Sequence, residues 1–347
     1  MAATGLDDRR RDVLRTLIQL HIETGEPVGS ESLSRALRRT LSPATLRNVM
    51  ADLEALGYLD HPHTSAGRVP TDDGYRFYVD SLMGLQPLAQ GERDAIDAQL
   101  LSRDASAQQT MERASQVLSR LSRHVGFVLA PDIARTSFRH VDLVPLAYPR
   151  ILVVMVSATG LVTHKVIEFH ERLRPDVLQE CANYLNVHFS GMSLSEIRSR
   201  LLALMGEEKA LYDSLLQKVA ALADRAFGDE GAGDVYLDGA SNILARPELS
   251  DLERMKAIFK TFEEKSRLVR ILNECLSGDG IRVLIGHENP EPDLRDLSLV
   301  TARCQIRGEQ GVGLGILGST RMEYAHVVAL VDHVARAVSN ILERQRE

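Results

Sequence analysis

Residues Leu6 to Leu82 place three amphipathic helix patterns ahead of a short hairpin pattern, and few folds accommodate that order. Asp7 and Asp8 precede Val13, Leu14, Leu17 and Ile18, a run extended by His21 or Ile22, so acids that favour a helix N-terminus stand before apolar residues at helical spacing. Gly25 and Pro27 stop this helix. Ser30 suits the cap of a second helix, with Leu33, Ala36 and Leu37 turned inward, and Arg38 to Leu41 make a short turn. Ser42 then Pro43 mark the start of a third helix, because proline lacks only an N–H that the first turn leaves unpaired anyway. Its buried face is Leu46, Val49, Met50 and Leu53, and Gly57 ends it. Tyr58 to His63 and Arg68 to Thr71 flank a turn-forming tip, Thr64-Ser65-Ala66-Gly67, while Pro62 and Pro70 confine both strands to a sheet edge. Thr71 or Asp72 opens a fourth helix that packs through Tyr75, Phe77, Tyr78 and Leu82. The whole reads as a winged helix-turn-helix.

The outward side of the third helix carries Ala44, Thr45, Arg47, Asn48 and Asp52. Small and bidentate-capable residues near a helix N-terminus are what a major-groove reader needs, although a solvated helix face has a similar composition. On the first reading Ser42, Thr45, Arg47 and Asn48 meet base edges and adjacent phosphates, with Arg47 suited to guanine and Asn48 to adenine. Arg68, beside the tip, suits a phosphate or the minor groove, with His63 and Ser65 as further contacts. A net charge of -7 argues against indiscriminate coating of nucleic acid, but a specific reader needs only one positive face. Every base in the first 85 residues is arginine; arginine dominates the rest of the chain too, so a compositional bias explains this equally well.

At 347 residues the chain is expected to form two or three domains. The opening MAATGLDDRRRD has no apolar core of a secretory signal, and the longest strongly apolar run, Ile151 to Val156, falls short of a membrane span, so a cytoplasmic protein is expected. Cys181, Cys275 and Cys304 are widely separated, which suits free thiols in a reducing compartment. A short linker at Gln86 to Gly91 opens a linker helix over 86–106, and the helical stripe that follows contains Ile96, Leu100, Met111, Ala114, Val117, Leu118 and Leu121, in which Asp104 favours a packing helix over a coiled-coil seam. Strand patterns follow at 125–131, 138–146, 150–160 and 161–169, the last two forming a hairpin, and strands resume at 281–286, 297–306 and 312–318 before a helix over 321–344. Helical periodicity over 174–189 and 193–227 interrupts them, which suggests an insertion into one α+β domain.

Two patterns mimic chemistry. Gly313-Leu-Gly315-Ile-Leu-Gly318 fits G-x-G-x-x-G, yet only one helix follows, so no βαβ unit can hold a dinucleotide and the glycines read as close strand packing. His61 and His63 flank Pro62, and His170-Glu171 is an isolated pair, so no metal site is expected. With no G-x-S-x-G elbow either, neither a cofactor nor catalysis is expected.

Three separated stretches carry a family resemblance: SAGRVPTDDGYRFYVDSLM (Ser65 to Met83), VYLDGASNILARPELSD (Val235 to Asp251) and GVGLGILGSTRMEYAHVVALV (Gly311 to Val331). Their order and spacing resemble the HrcA family of bacterial heat-inducible transcription repressors across essentially the whole chain, with Ser319 standing where the family pattern has proline. The resemblance implies a winged helix over 1–85, a GAF-like α/β domain over 107–170 and 246–347, and a mainly helical inserted dimerisation domain over 171–245. It also implies a homodimer on an inverted-repeat operator (CIRCE) upstream of chaperone genes, with the chaperonin GroEL as partner. A regulator sensing a small molecule through the GAF-like domain is the alternative.

Overall fold

A computed structural model of the chain describes residues 6–62, 67–84, 87–101, 105–130, 137–157, 162–205, 214–227, 235–244, 249, 251–276, 280–306 and 309–344. The N-terminal module is built from α1 (Asp8–Thr24), α2 (Ser30–Ala36), α3 (Pro43–Ala55), the two-stranded wing β1 (Leu59–Asp60) and β2 (Val69–Pro70), and α4 (Asp72–Phe77). Three of its helices start on a side chain that accepts an orphan first-turn N–H: Asp7 from Arg10 at 2.8 Å, Ser42 from Thr45 at 3.1 Å and Thr71 from Gly74 at 3.0 Å. The apolar faces of α1 and α3 are buried as the periodicity requires, Val13, Leu14, Leu17 and Ile18 against Leu46, Val49, Met50 and Leu53. In α2 the expectation needs correcting. Gly29 is its N-cap, Ser30 lies inside the helix without a capping bond, and Ser34 rather than Ala36 turns inward beside Leu33. The buried Ser34 hydroxyl is satisfied because it donates to the Leu41 carbonyl at 2.9 Å, across the turn into α3.

The wing is shorter than its sequence pattern, with two residues in each strand and Leu59 opposite Pro70. Gly74 explains how tightly α4 returns onto it: a Cβ there would lie 2.2 Å from the Tyr58 carbonyl oxygen. A π-helical turn, Tyr78–Leu82, continues α4 and buries Tyr78 and Leu82.

The single stripe expected from Ile96 to Leu121 is two helices, α5 (Gln90–Leu100) and α6 (Ala107–Ser122). α6 restarts at a capping box in which Ser106 and Gln109 satisfy each other's backbone N–H; Asp104 lies outside the described residues. Beyond α6 comes an antiparallel five-stranded sheet in the order β7-β3-β10-β9-β8, made of β3 (Val125–Leu129), β7 (Val235–Asp238), β8 (Ile281–Ile285), β9 (Leu297–Ile306) and β10 (Glu309–Ser319). One face meets α6 and α13 (Tyr324–Arg344) through Val128, Val300, Leu314 and Ile316. The other meets α10 (Ser241–Leu244), α11 (Leu252–Glu263) and α12 (Lys265–Cys275) through Phe127, Leu299 and Leu317. The G-x-G-x-x-G glycines lie wholly within β10, with no turn or helix start among them. Among the described residues α13 is the one helix long and apolar enough to cross a membrane, but its apolar face from Tyr324 to Leu342 is buried in this core.

Strands β4 (Phe138–Pro145), β5 (Arg150–Ser157) and β6 (Val162–Glu168) do not join that sheet, contrary to the expectation that residues up to 170 belong with it. They form a separate antiparallel sheet whose inner face packs on α7 (Pro175–Phe189), α8 (Leu194–Met205) and α9 (Ser214–Phe227) around Phe138, Val153, Leu185, Phe189, Ile197 and Leu222. The unit with its own core therefore runs from Phe138 to Phe227, where 171–245 was expected, and it enters between β3 and β7, which are direct neighbours.

All three cysteines are buried and free, in different cores. Burial pushes the Cys181 and Cys275 thiols up to about 11 and Cys304 to about 12. Since the thiolate is the reactive form, iodoacetamide at pH 8 is expected to label none of them before unfolding and all three in denaturant. Labelling in native buffer at the rate of a free thiol would contradict this burial.

Candidate nucleic-acid interface

α3 offers its outward face at a place the rest of the module fixes firmly. Ser42 caps the helix, and its Oγ lies 2.9 Å from the Thr45 Oγ1, so the two hydroxyls are engaged with each other as well as with the helix start. Asp52, at the far end of the same face, pairs with Arg10 of α1 at 2.6 Å. This bond fixes the α1–α3 crossing and neutralises the one acid on that face. Ala44, Arg47 and Asn48 remain exposed between these anchors. Arg47 has a long contact from Nε to the Ser30 Oγ, 3.4 Å, and no carboxylate partner among the described residues. A guanidinium and a carboxamide on adjacent residues, free of carboxylates, can each offer two parallel hydrogen bonds to a base edge.

Arg68 sits differently from the sequence expectation. Its backbone forms a bridge with Val28, with both N–H···O distances 2.9 Å, and its Nε donates to Glu54 at 2.7 Å. The side chain ties the wing to the end of α3, so it positions the wing before it can meet a phosphate. His63 and Ser65 lie outside the described residues. Ser42, Thr45, Arg47 and Asn48 thus share the first two turns of one helix, while Arg68 lies at the wing base on the other side of Glu54. The sequence marks the turn between α2 and α3 but assigns no role to its Arg38 and Arg39, which are exposed. The arginine pair was visible in the sequence; its conformation was not.

The module is anchored to the five-stranded sheet. Arg76 of α4 donates from Nε to Glu288 at 2.7 Å and from Nη2 to the Val283 carbonyl at 2.6 Å. Asp72 accepts from the His287 N–H at 2.9 Å and lies 3.0 Å from its Nδ1. Tyr75 stacks at a tilt on Tyr324, with ring centroids 5.8 Å apart.

Two family models match this chain. One, described as the HrcA winged helix-turn-helix transcription repressor DNA-binding domain, covers residues 5–80. The other, the HrcA protein C-terminal domain, covers residues 108–328. The chain belongs to the HrcA family. A heat-inducible transcription repressor HrcA of Geobacter sulfurreducens is 41% identical over 98% of this chain and 99% of its own length. The HrcA of Syntrophobacter fumaroxidans is 37% identical over 99% of each chain. Among solved structures, the crystal structure of a hypothetical protein shares the fold with a TM-score of 0.64 at 22% identity, covering 98% of this chain and 99% of that one. Family membership accounts for the winged helix.

Proposed function

We propose that this HrcA-family protein represses transcription by reading an inverted-repeat DNA operator as a homodimer, and that heat relieves the repression. The exposed, carboxylate-free Arg47-Asn48 pair near the start of a rigidly held α3 carries the reading. Ser42 and Thr45 serve the helix start and the nearby phosphate, and Arg68 with His63 and Ser65 serve the wing contact. The relatives' name supplies heat-inducible repression. From the same resemblance come a CIRCE-type operator, the chaperonin GroEL as the partner that maintains the active form, the GAF-like character of the sheet domain and a cytoplasmic location. The reading assigns the protein no catalytic step.

The dimer has physical support in the inserted unit. The outer face of its sheet aligns Val144, Leu152 and Val166 in one cross-strand row, with Val154, Val156 and Val162 beside them. Val144, Val162 and Val166 are 42%, 60% and 49% exposed, and His140, Asp142 and His164 lie among them on the same face, a mixed apolar and polar surface of the kind that a second copy covers in a homodimer. Two-fold symmetry then demands symmetric half-sites, with centres about 34–36 Å apart or a multiple of that.

Footprinting on the chaperonin promoter of the source genome is the test. Two symmetric protected half-sites are expected. Arg47→Ala is expected to cost about 1–3 kcal/mol on the operator and to relax one base position in each half-site. An equal loss on every sequence would make Arg47 a phosphate contact, and no protection at low salt with chaperonin present would overturn the repressor reading.

A further inference from the structure

The turn from α2 to α3 holds two consecutive non-glycine residues in the left-handed region, Arg38 at φ 53° and Arg39 at φ 58°. Side chains other than glycine, asparagine, aspartate and histidine seldom occupy that region, because Cβ crowds the backbone there. The turn is nevertheless tightly defined. Arg38 N–H donates to the Arg35 carbonyl at 3.0 Å, Arg39 N–H to Ser34 at 2.7 Å and Thr40 N–H to Leu37 at 3.1 Å, while the Ser34 hydroxyl spans it to Leu41. Glycine would relieve this backbone at both positions. Arg123 also stands in this region, at φ 56°, but as the single C-cap of α6, where helices ordinarily end this way; two successive left-handed arginines in an exposed turn have no such local cause. Strain kept by a rigid surround is a mark of function.

Charge pairing divides the arginines of the winged helix into two groups. Within the winged helix Arg10, Arg15, Arg68 and Arg76 each sit against a carboxylate. Arg35, Arg38, Arg39 and Arg47, on α2, the turn and α3, form no ion pair among the described residues. Arg9 and Arg11 at the start of α1 likewise form none, so what sets the α2–α3 group apart is its placement, on a helix, a turn and the next helix in succession, leading to the exposed face of α3.

We propose that Arg38 and Arg39 are a phosphate clamp for duplex DNA, gripping the sugar-phosphate backbone beside the groove that α3 enters. The clamp rests on the DNA-binding reading above and extends it to residues that read no base. Its rigid turn fixes the register of α3 on the duplex, while the guanidinium groups release counterions.

The test measures affinity of the full-length protein for the footprinted operator duplex and for a scrambled duplex of equal length, across salt concentration. In the double variant Arg38→Gly, Arg39→Gly the slope of log affinity against log salt is expected to shrink by about 1.8, at about 0.9 per lost phosphate contact. Affinity should fall roughly sixtyfold near 0.1 M salt, equally on both duplexes, and converge with wild type toward 1 M. The glycines should leave the thermal midpoint unchanged or raised, and Arg38→Lys, Arg39→Lys should keep most of the slope. An unchanged slope overturns the clamp, as does a loss confined to the operator duplex. Failure of the wild-type protein to bind either duplex overturns the DNA-binding reading itself.

Discussion

Gly315→Ala is expected to destabilise the sheet domain by about 3 kcal/mol or more and to prevent its folding at 37 °C. Gly315 lies in β10, the central strand, between Phe127 of β3 and Thr301 of β9. A Cβ at this position would stand 2.3 Å from the Val300 carbonyl oxygen and 2.8 Å from the Phe127 ring. The ring can yield, but the carbonyl belongs to a strand paired on both sides, so relief requires moving two ladders. Overpacking by one methyl in a compliant site costs about 1–3 kcal/mol, and a rigid backbone neighbour places this substitution at or above the upper end. Gly84→Ala is the control, because a Cβ there meets nothing within 4 Å. Calorimetry should show the first variant unfolded or deeply lowered in Tm and the second within a degree or two of wild type. A Gly315→Ala protein that melts with wild type would mean that β10 does not pack as described.

The same glycines show what a sequence conveys. Their spacing matched a dinucleotide-binding loop, and only the absence of a following βαβ unit argued for packing; the structure gives the physical cause in Leu276 at Gly313, Val300 and Phe127 at Gly315, and His124 at Gly318. The winged helix was legible because its instructions are local: Asp7, Ser42 and Thr71 cap within three residues, and each helix repeats its own period. The limits of the inserted unit were not, since sheet membership is a distant pairing, β3 with β7 across the whole insertion. The sequence does not mark the difference: Ile151 to Val156 is as continuously apolar as β3, although in the fold β3 is buried at every position and β5 alternates, with one face open. For the candidate DNA-contacting surface, periodicity identified the exposed residues of α3. The engagement of Arg68 by Glu54 and the left-handed Arg38 and Arg39 depended on tertiary contacts and backbone angles that no spacing encodes.

Arg76→Ala is expected to split one cooperative unfolding transition into two, with the winged helix melting first. The buried apolar cluster runs without a break from α1 and α3 through Tyr75 and Tyr324 into the sheet, so the winged helix and the sheet domain of the intact protein are expected to melt together. The polar bonds that lock this junction centre on Arg76, which holds Glu288, the Val283 carbonyl and, at 3.2 Å, Asp80. Both members of the Arg76–Glu288 pair are about three-quarters covered, with side-chain exposures of 27% and 24%. Removing one partner of a fully buried pair costs about 3–5 kcal/mol; this partly wetted one is expected to cost about 2 kcal/mol. Arg76→Lys should recover only part of the loss, because an ammonium cannot make the two parallel bonds that Glu288 accepts. pH probes the same lock. Burial disfavours the Glu288 carboxylate, but the Arg76 hydrogen bond, the Ile285 N–H and the nearby Arg76 and His287 charges outweigh it and hold the group below its ordinary value. A depressed carboxylate stabilises the fold fully above the ordinary glutamate value of about 4.3 and loses that contribution as pH falls below it. Wild type should therefore approach the two-transition behaviour of Arg76→Ala as it is acidified below about pH 4, while the variant changes less over the same range. A single transition at unchanged temperature in Arg76→Ala would show that the apolar junction alone couples the DNA-reading module to the sheet. Two transitions would show that the Arg76 contacts are needed to couple the stability of the winged helix to that of the sheet domain.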